Sequence, residues 1–266
     1  MGDIIVLLKA ALNPEMVRSK PDGSLDQDAI PLKLSDIDRN AVEEAAKLKG
    51  KLGGKIIGIT VLTVGPLARR EKDLRMAVQE ALAKGVDEAI IVADDSITPG
   101  DQVQTANIIV EVIKKSGLKP DLILASEATI DETTGQIAGR VAAKLDMPYI
   151  SFARSLDVVD GKVVAERDLE EDLEKVEAPL PVVVSVTQEI NQPRPPTLIQ
   201  IRRASRKPQK RLTAQDVKDA LGVRRRILER RIISVKRKQE IIDGSSLEEI
   251  ADKLLDILER EGVVKL

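Results

Sequence analysis

The sequence contains no cysteine, no histidine and no tryptophan, and only one tyrosine and one phenylalanine among its 266 residues. The lack of cysteine and histidine excludes disulfides, metal sites built from thiolates or imidazoles, and catalysis by a Cys or His side chain. The near-absence of aromatic residues excludes base stacking on aromatic platforms as a binding mode. We therefore expect no catalytic set and no metal site, with any redox chemistry supplied by a bound cofactor.

Long uncharged apolar runs are also lacking. No span of about 18 such residues occurs, so no direct membrane insertion is predicted. The first three residues lead straight into a predicted strand, without a basic start or a cleavage site, and we expect a cytoplasmic protein. A charged fraction of 32% without cysteine favours a thermophilic source.

What the sequence does contain is a repeated alternation of apolar runs and amphipathic segments. The predicted strands and helices alternate over residues 3–9, 35–53, 55–64, 67–84, 89–93, 101–116, 121–125, 133–145 and 148–156. This order predicts an α/β fold with a mostly parallel sheet and flanking helices, of Rossmann-like type. No G-x-G-x-x-G follows the first strand, which disfavours a simple dehydrogenase.

The pattern changes after residue 156. Asp160-Gly161 predicts a hairpin turn, and residues 179–186 predict another strand. Residues 202–238 carry 15 Lys or Arg against three Asp or Glu, and a last helix follows the capping sequence that starts at Ser246. We predict an α/β nucleotide- or flavin-binding domain over residues 1–200, and over residues 201–266 a basic arm with a short helix at 213–221 and a terminal helix, packing on a partner subunit.

The stretch 121–139 is the most informative part of the chain for function. It runs from a buried strand into a predicted helix that starts at Thr133, and Gly135 permits a close approach of the backbone. Backbone N–H groups at such a helix start bind phosphate. Asp131 would cap the helix or hold a ribose hydroxyl, and the alternative is a plain strand–loop–helix turn capped by Asp131 or Thr133. Three predicted strand tips meet there, at residues 8–9, 64–66 and 126–136.

These residues resemble a known family, the β subunits of the electron transfer flavoproteins, from the first strand to about Pro208. The resemblance rests on the order and spacing of several short motifs, found at residues 41–45, 62–66, 81–87, 128–136, 166–170, 174–177, 181–184, 190–194 and 197–198.

The resemblance implies a heterodimer with an α subunit that carries FAD. It implies an adenine-nucleotide alpha-hydrolase-like fold, with a second adenine nucleotide held in the cleft of this chain. In respiratory-type members this nucleotide is a structural AMP. In electron-bifurcating members it is a second FAD beside which NADH binds, and electrons pass from NADH or a dehydrogenase to a quinone side and a ferredoxin side. The short loop from Asp131 to Gln136, and Arg167 at the position of an arginine near the flavin, favour the bifurcating type.

By position, the resemblance also implies a set of cofactor-binding residues. They are Leu7, Lys9, Ser35, Asp36, Asp38, Val64, Ala125, Ser126, Asp131, Thr133, Thr134, Gly135, Gln136, Ile137 and Arg167. Leu198 matches the residue that docks a partner dehydrogenase or quinone oxidoreductase. The alternatives are a solvated salt bridge for Arg167, simple helix capping for residues 35–38, and an ordinary exposed leucine for Leu198.

Two other functions compete with electron transfer. The basic arm is compatible with nucleic-acid binding, but Ile227, Leu228, Ile232, Ile233 and Val235 interleave with its arginines, which is typical of a subunit interface. We therefore expect no nucleic-acid partner. An adenine-nucleotide sensor working alone would share the α/β core, but it needs neither the hairpin nor the arm.

Overall fold

The apolar runs of the sequence form one large sheet in the computed structural model, which describes residues 2–97, 99–222, 225, 227–232 and 238–264. The chain divides into two compact units, residues 1–231 and 232–266. The strands of the first unit are β1 (Gly2–Leu8), β2 (Ala10–Leu12), β3 (Leu32–Leu34), β4 (Gly53–Val61), β5 (Glu88–Val92), β6 (Pro120–Ser126), β7 (Tyr149–Val159), β8 (Lys162–Asp168), β9 (Leu173–Pro179), β10 (Val182–Val186) and β11 (Gln209–Leu212). Its helices are α1 (Asp36–Leu52), α2 (Leu67–Lys84), α3 (Gln102–Lys115), α4 (Ile137–Leu145) and α5 (Leu198–Ala204), with 3₁₀ turns at Pro14–Met16, Gln27–Ala29, Gln188–Ile190 and Ala214–Ala220.

Nine strands in the described part of the chain make the large sheet, in the order β11-β5-β4-β1-β6-β10-β7-β8-β9. Neighbours from β11 to β7 pair in parallel, whereas β8 and β9 pair antiparallel at one edge. The strands β2 and β3 form a separate antiparallel pair. The predicted α/β class with a mostly parallel, Rossmann-like sheet is confirmed.

The order of the strands reverses at β1. The chain goes from β1 to β4 and β5 on one side, and then returns to place β6 on the other side of β1. Connections that leave β1 and β6 in opposite directions open a crevice beyond their carboxyl ends. The candidate site described below lies in this crevice.

Helices cover both faces of the sheet, and β1 supplies apolar side chains to both of these faces. Its side chains alternate, so that Ile4 and Val6 pack in one aliphatic cluster with α1 and α2, while Ile5 packs in a second cluster with α3 and α4. All three are almost fully buried. Each such burial stabilises the fold by roughly 1.5–3 kcal/mol, so the core needs no aromatic residue.

The predicted helix ends match the structure closely except at α4. We predicted a start at Thr133, but α4 begins at Ile137. Thr133 and Gly135 have positive φ angles of 47° and 62°, which a right-handed helix does not tolerate. Residues 133–136 therefore belong to the loop that precedes the helix.

The bounds and the number of the strands also differ from prediction. The acidic segment after the hairpin is a strand pair, because β8 extends to Asp168 and β9 follows it. The strand expected over residues 179–186 begins only at Val182, and β4 ends at Val61 instead of Val64. The turn at Asp160-Gly161 is confirmed by the pairing of Val159 with Lys162.

The segment after residue 200 contributes to the sheet through β11, which pairs in parallel with β5. The short helix predicted at residues 213–221 is a 3₁₀ turn with a kink at Val217. The predicted division into a domain over residues 1–200 and an arm over residues 201–266 that packs on a partner subunit stays a prediction.

The second unit contains α6 (Leu247–Arg260). Ser246 caps this helix, as predicted, by accepting a hydrogen bond from the N–H of Glu249 at 3.2 Å. Gly262, with φ 71°, follows its end. Ile233 and Val235, two of the apolar residues that interleave with the arginines of the basic arm, lie outside the described residues. No helix in the described part of the chain is long and apolar enough to cross a membrane.

Candidate functional site: the cleft at the strand tips

A cleft with about 700 Å³ of empty space, open solvent included, lies beyond the carboxyl ends of β1, β4 and β6. Its lining residues come from the strand tips, from the start of α3 and from the loop between β6 and α4. They are Leu7, Leu8, Lys9, Asp38, Val61, Thr63, Gly100, Gln102, Thr105, Ile109, Ala125, Ser126, Glu127, Ala128, Thr129, Glu132, Thr134, Gly135, Gln136 and Ile137.

The Asp38 carboxylate connects three elements at the floor of the cleft. One oxygen accepts the backbone N–H of Lys9 at 2.7 Å, and the other accepts the Ser126 hydroxyl at 2.5 Å. Burial raises the pKa of Asp38 from 3.8 to about 7, and the hydrogen bonds from Ser126 and Lys9 oppose this rise. The group therefore holds the tips of β1 and β6 against the first turn of α1.

Lys9 brings a positively charged side chain to the cleft. Its ammonium lies 2.8 Å from Asp131 Oδ1 and 3.0 Å from Glu132 Oε2. Asp131 also accepts the Thr129 hydroxyl at 2.8 Å and the backbone N–H of Leu12 at 3.1 Å. Asp131 thus fixes the loop to Lys9 and to β2, and it does not cap α4.

The start of α4 borders the cleft through Gln136 and Ile137. Gln136 occupies the position before the helix without a side-chain cap, and its amide oxygen instead accepts Arg140 Nη2 at 2.7 Å. Gly135 turns the chain into the helix with φ 62°, and a Cβ added there would lie 3.4 Å from the carbonyl oxygen of Glu127. The free N–H groups of a first helical turn attract phosphate, because the peptide dipoles add partial positive charge there.

Most of the predicted cofactor-binding residues lie together in this cleft. Nine of them line it: Leu7, Lys9, Asp38, Ala125, Ser126, Thr134, Gly135, Gln136 and Ile137. Asp131 reaches it through Lys9. Whether these residues bind a cofactor stays a prediction.

The remaining predicted residues lie behind the lining or away from it. Ser35 is fully buried and donates its backbone N–H to the carbonyl oxygen of Lys9. Asp36 pairs with Lys33 and Arg39 on the outside of α1. Val64 is buried beyond the end of β4, so that Val61 and Thr63 face the cleft in its place. Thr133 lies in the loop without lining the cleft.

Arg167 lies on the same sheet, three strands away from the cleft. Ser126, Val186, Ala153 and Arg167 pair in sequence across β6, β10, β7 and β8. Neighbouring strands are about 4.8 Å apart, so this row is roughly 14 Å long. The Arg167 guanidinium donates to the carbonyl and hydroxyl oxygens of Ser151 at 3.0 and 2.8 Å and pairs with Glu174 at 3.0 Å.

Prediction from sequence missed the contribution of α3 and of the loop before it. Gln102 and Thr105 line the cleft from the first turns of α3, and Gly100 precedes them. The signal was present in the sequence, because polar residues stand at the start of a helix whose buried face is otherwise aliphatic. Glu132 was also missed, although it neighbours Asp131.

A second group of polar residues holds the segment before α5. Asn40 donates to the carbonyl oxygens of Gln188 and Asn191 at 2.9 and 2.7 Å, and Asn191 donates to Asn40 O and Glu44 Oε2, both at 3.0 Å. Arg194 Nε binds Glu43 at 2.6 Å. Past this anchored segment, Leu198 is 80% exposed.

Within the described ranges, no group of three or more acidic residues is arranged to hold a metal ion. The fold and the cleft define a Rossmann-like α/β protein with a cleft at the switch point of its sheet.

Comparison with known proteins identifies the family to which this chain is similar. The family model for the electron transfer flavoprotein domain matches residues 22–217. The chain is 30% identical to the electron transfer flavoprotein subunit beta of Thermoanaerobacterium thermosaccharolyticum, over 98% of this chain and all of that protein. It is 32% identical to the same subunit of Bacillus subtilis, over 98% and 99%, and 31% identical to that of Clostridium acetobutylicum, over 91% and 92%.

The chain therefore belongs to the electron transfer flavoprotein family, as a beta subunit. Membership implies a role in electron transfer, association with a flavin or adenine nucleotide, and pairing with an alpha subunit.

Proposed function

We propose that the cleft binds the adenine-nucleotide half of an FAD, and that the chain works with an FAD-bearing α subunit as an electron-bifurcating electron transfer flavoprotein. Electrons would enter from NADH or from a dehydrogenase. They would leave toward a quinone oxidoreductase on one side and a ferredoxin on the other. The observation that carries the proposal is the meeting of Lys9, Ser126 and the start of α4 around one cleft.

Each part of the cleft has a chemical role in this proposal. The first turn of α4 and the Lys9 ammonium would bind phosphate, through backbone N–H groups and charge respectively. Polar side chains around the floor would bind the ribose hydroxyls and the adenine edge. The bound flavin supplies the redox chemistry, which the chain's own side chains do not.

The row of paired residues from Ser126 to Arg167 favours FAD over AMP. A mononucleotide ends in the cleft, whereas a dinucleotide continues past it. The row spans roughly 14 Å, so a dinucleotide that extended past the cleft in this direction would reach a guanidinium fixed by Ser151. A permanently charged guanidinium would favour anionic states of a flavin placed there.

The remaining parts of the chain would serve its partners. Residues 201–266 would pack on the α subunit, since α6 exposes Leu247, Leu254 and Leu255. Leu198, held out on an anchored segment, would contact the redox partner. The cytoplasmic location and the thermophilic source stay predictions from the sequence.

The alternative is a respiratory-type β subunit with a structural AMP in the same cleft, and the specific test is the nucleotide content of the native αβ complex. Denaturation followed by chromatography of the released small molecules should yield two FAD per heterodimer. One FAD and one AMP would contradict the bifurcating type and support the alternative. A chain that is isolated from its native source without an α subunit and without any flavin, and that binds ATP, would contradict both and favour a sensor protein.

A further inference from the structure

Three charged side chains form a continuous chain at the rim of the cleft. Glu132 stands in the middle, with Oε2 3.0 Å from Lys9 Nζ and Oε1 3.0 Å from Arg230 Nη2. Lys9 and Glu132 line the cleft. Arg230 reaches its rim from the segment that follows β11 in the chain, and it lies beyond residues 22–217, where the family model matches.

The backbone around Arg230 is held against the loop at residues 24–27. Its carbonyl oxygen accepts the N–H of Leu25 at 3.1 Å, and the next residue, Arg231, forms a β-bridge with Ser24. The Arg230 side chain also donates to the amide oxygen of Gln27. The guanidinium therefore has two side-chain partners, Gln27 and Glu132, and the backbone that carries it is paired with residues 24–25.

Close packing against the cleft lining supports the same placement. A Cβ added at Gly100 would lie 2.8 Å from Ile227 Cδ1 and 3.4 Å from Arg230 Nη2. Gly100 lines the cleft and has a φ of 68°. The ends of these side chains therefore lie directly against Gly100, which places residues 227 and 230 at the rim of the cleft.

The arrangement of charges resembles an anion site whose anion comes from the protein. A carboxylate that bridges a lysine and an arginine occupies the kind of position that a phosphate oxygen occupies between the same two cations. Glu132 is about a quarter exposed, so its side chain has room to turn toward solvent. Lys9 would keep Asp131 as a partner after such a turn.

We propose that Glu132 holds the place of a nucleotide phosphate, and that Lys9 and Arg230 bind the phosphate groups of the incoming adenine nucleotide once Glu132 has turned away. The inference rests on the proposed nucleotide cleft and adds Arg230 to it as a ligand. Arg230 would bind phosphate oxygens through two parallel N–H groups, and Lys9 as a point charge.

The test is a calorimetric titration of the nucleotide-free, full-length chain with ADP. The Arg230→Ala variant should bind ADP about tenfold more weakly or worse, because charge-assisted hydrogen bonds to the phosphate are lost. Arg231→Ala is the matched control: it removes the same charge one residue away, where the side chain is 74% exposed and pairs with Glu229. It should leave ADP affinity within about twofold.

The Glu132→Gln variant should change ADP affinity in the opposite direction. Removal of the competing carboxylate should tighten ADP binding severalfold, whereas a glutamate that merely supports the site would weaken binding when it is replaced. Arg230→Lys, which keeps the charge and loses the fork, should fall between wild type and Arg230→Ala. Circular dichroism of each variant checks the fold, and the lysine variant serves if the alanine variant does not fold.

The outcomes separate this inference from the proposed function. A wild-type chain that binds no ADP overturns both. A wild-type chain that binds ADP, with equal affinity in the Arg230→Ala and Arg231→Ala variants, overturns the role of Arg230 and leaves the cleft intact. Unchanged or weaker binding in Glu132→Gln overturns the place-holding role of Glu132.

Discussion

The hydroxyl of Ser126 donates a hydrogen bond of 2.5 Å to the Asp38 carboxylate, at the point where the strand order of the sheet reverses. The same carboxylate accepts the backbone N–H of Lys9 at 2.7 Å. A single buried acid thus joins the ends of β1 and β6 to α1. Its charge state affects both the stability of the chain and the shape of the cleft floor.

Asp38 should give the stability of the chain a specific pH dependence. Burial raises its pKa in the folded chain to about 7, against 3.8 when unfolded. Between these values the folded chain binds more protons, so its free energy of unfolding falls as pH rises, by up to roughly 1.4 kcal/mol per pH unit. Asp38→Asn should lack this component. Urea unfolding of both proteins across this range should show the stability of wild type, relative to the variant, declining up to about pH 7 and then levelling. A constant difference would contradict the assignment.

Ser126→Ala should shift the same titration upward. The hydrogen bond from Ser126 lowers the pKa of Asp38, so its loss raises that pKa further. Carbon NMR of the Asp38 carboxyl group in both proteins measures the shift. A midpoint that is unchanged or lower in the variant would show that the hydroxyl does not stabilise the carboxylate.

Gly135 should affect both stability and nucleotide binding. Its φ of 62° is unfavourable for alanine, and the added Cβ would contact Glu127 O at 3.4 Å. Gly135→Ala should cost about 1 kcal/mol or more in unfolding free energy, and it should also weaken ADP binding. Gly117→Ala is the control, because Gly117 has φ 64° and open space around it, away from the cleft. Equal loss of ADP affinity in both variants would mean that backbone strain alone is the cause.

Asn191 should hold the segment that leads to Leu198. Its side chain donates to Asn40 O and Glu44 Oε2, two partners on a buried face of α1. Asn191→Ala should lower the unfolding free energy by about 1–3 kcal/mol and speed amide hydrogen exchange over residues 188–204. Gln192→Ala, at the exposed neighbouring position, should do neither. Similar exchange in the two variants would show that the segment is held by other contacts.

Leu198 should matter for electron exchange and hardly for folding. It is 80% exposed, so Leu198→Ala should change the unfolding free energy by less than about 0.5 kcal/mol. Electron transfer between the αβ complex and its dehydrogenase partner should slow by roughly fivefold or more, as for a central interface residue. Reduction of ferricyanide, which needs no docking, should be unchanged. Leu173→Ala on β9 is the matched exposed control, and a similar slowing in it would remove the special role of Leu198.

The sequence was sufficient to predict the elements that long apolar periodicity defines. The strands β1, β4 and β6 and the helices α1, α2 and α3 lie within a few residues of their predicted bounds, because each buries a continuous aliphatic stripe. That periodicity also located the crevice, since the strand tips that it predicts are the ones that meet at the switch point.

The errors of prediction from sequence lie where local backbone geometry or long-range pairing determines the structure. The loop before α4 looked helical because threonine and glutamine are compatible with a helix, and only the left-handed angles at Thr133 and Gly135 reveal the loop. The strand β9 was hidden by its charge, which an edge strand tolerates on its exposed face. The contact between Arg230 and Glu132 joins residues 98 positions apart, and no local pattern predicts it.

The proposed cofactor site is tested most directly by mapping where an adenine nucleotide binds. Amide hydrogen exchange of the αβ complex, stripped of nucleotide and then saturated with FAD or with AMP, should show slowed exchange at residues 7–9 and 125–138 of this chain, whichever nucleotide is bound. Unchanged exchange at both stretches, with protection elsewhere on the chain or only on the α subunit, would contradict the claim that the strand tips around Lys9 and Ser126 hold the cofactor.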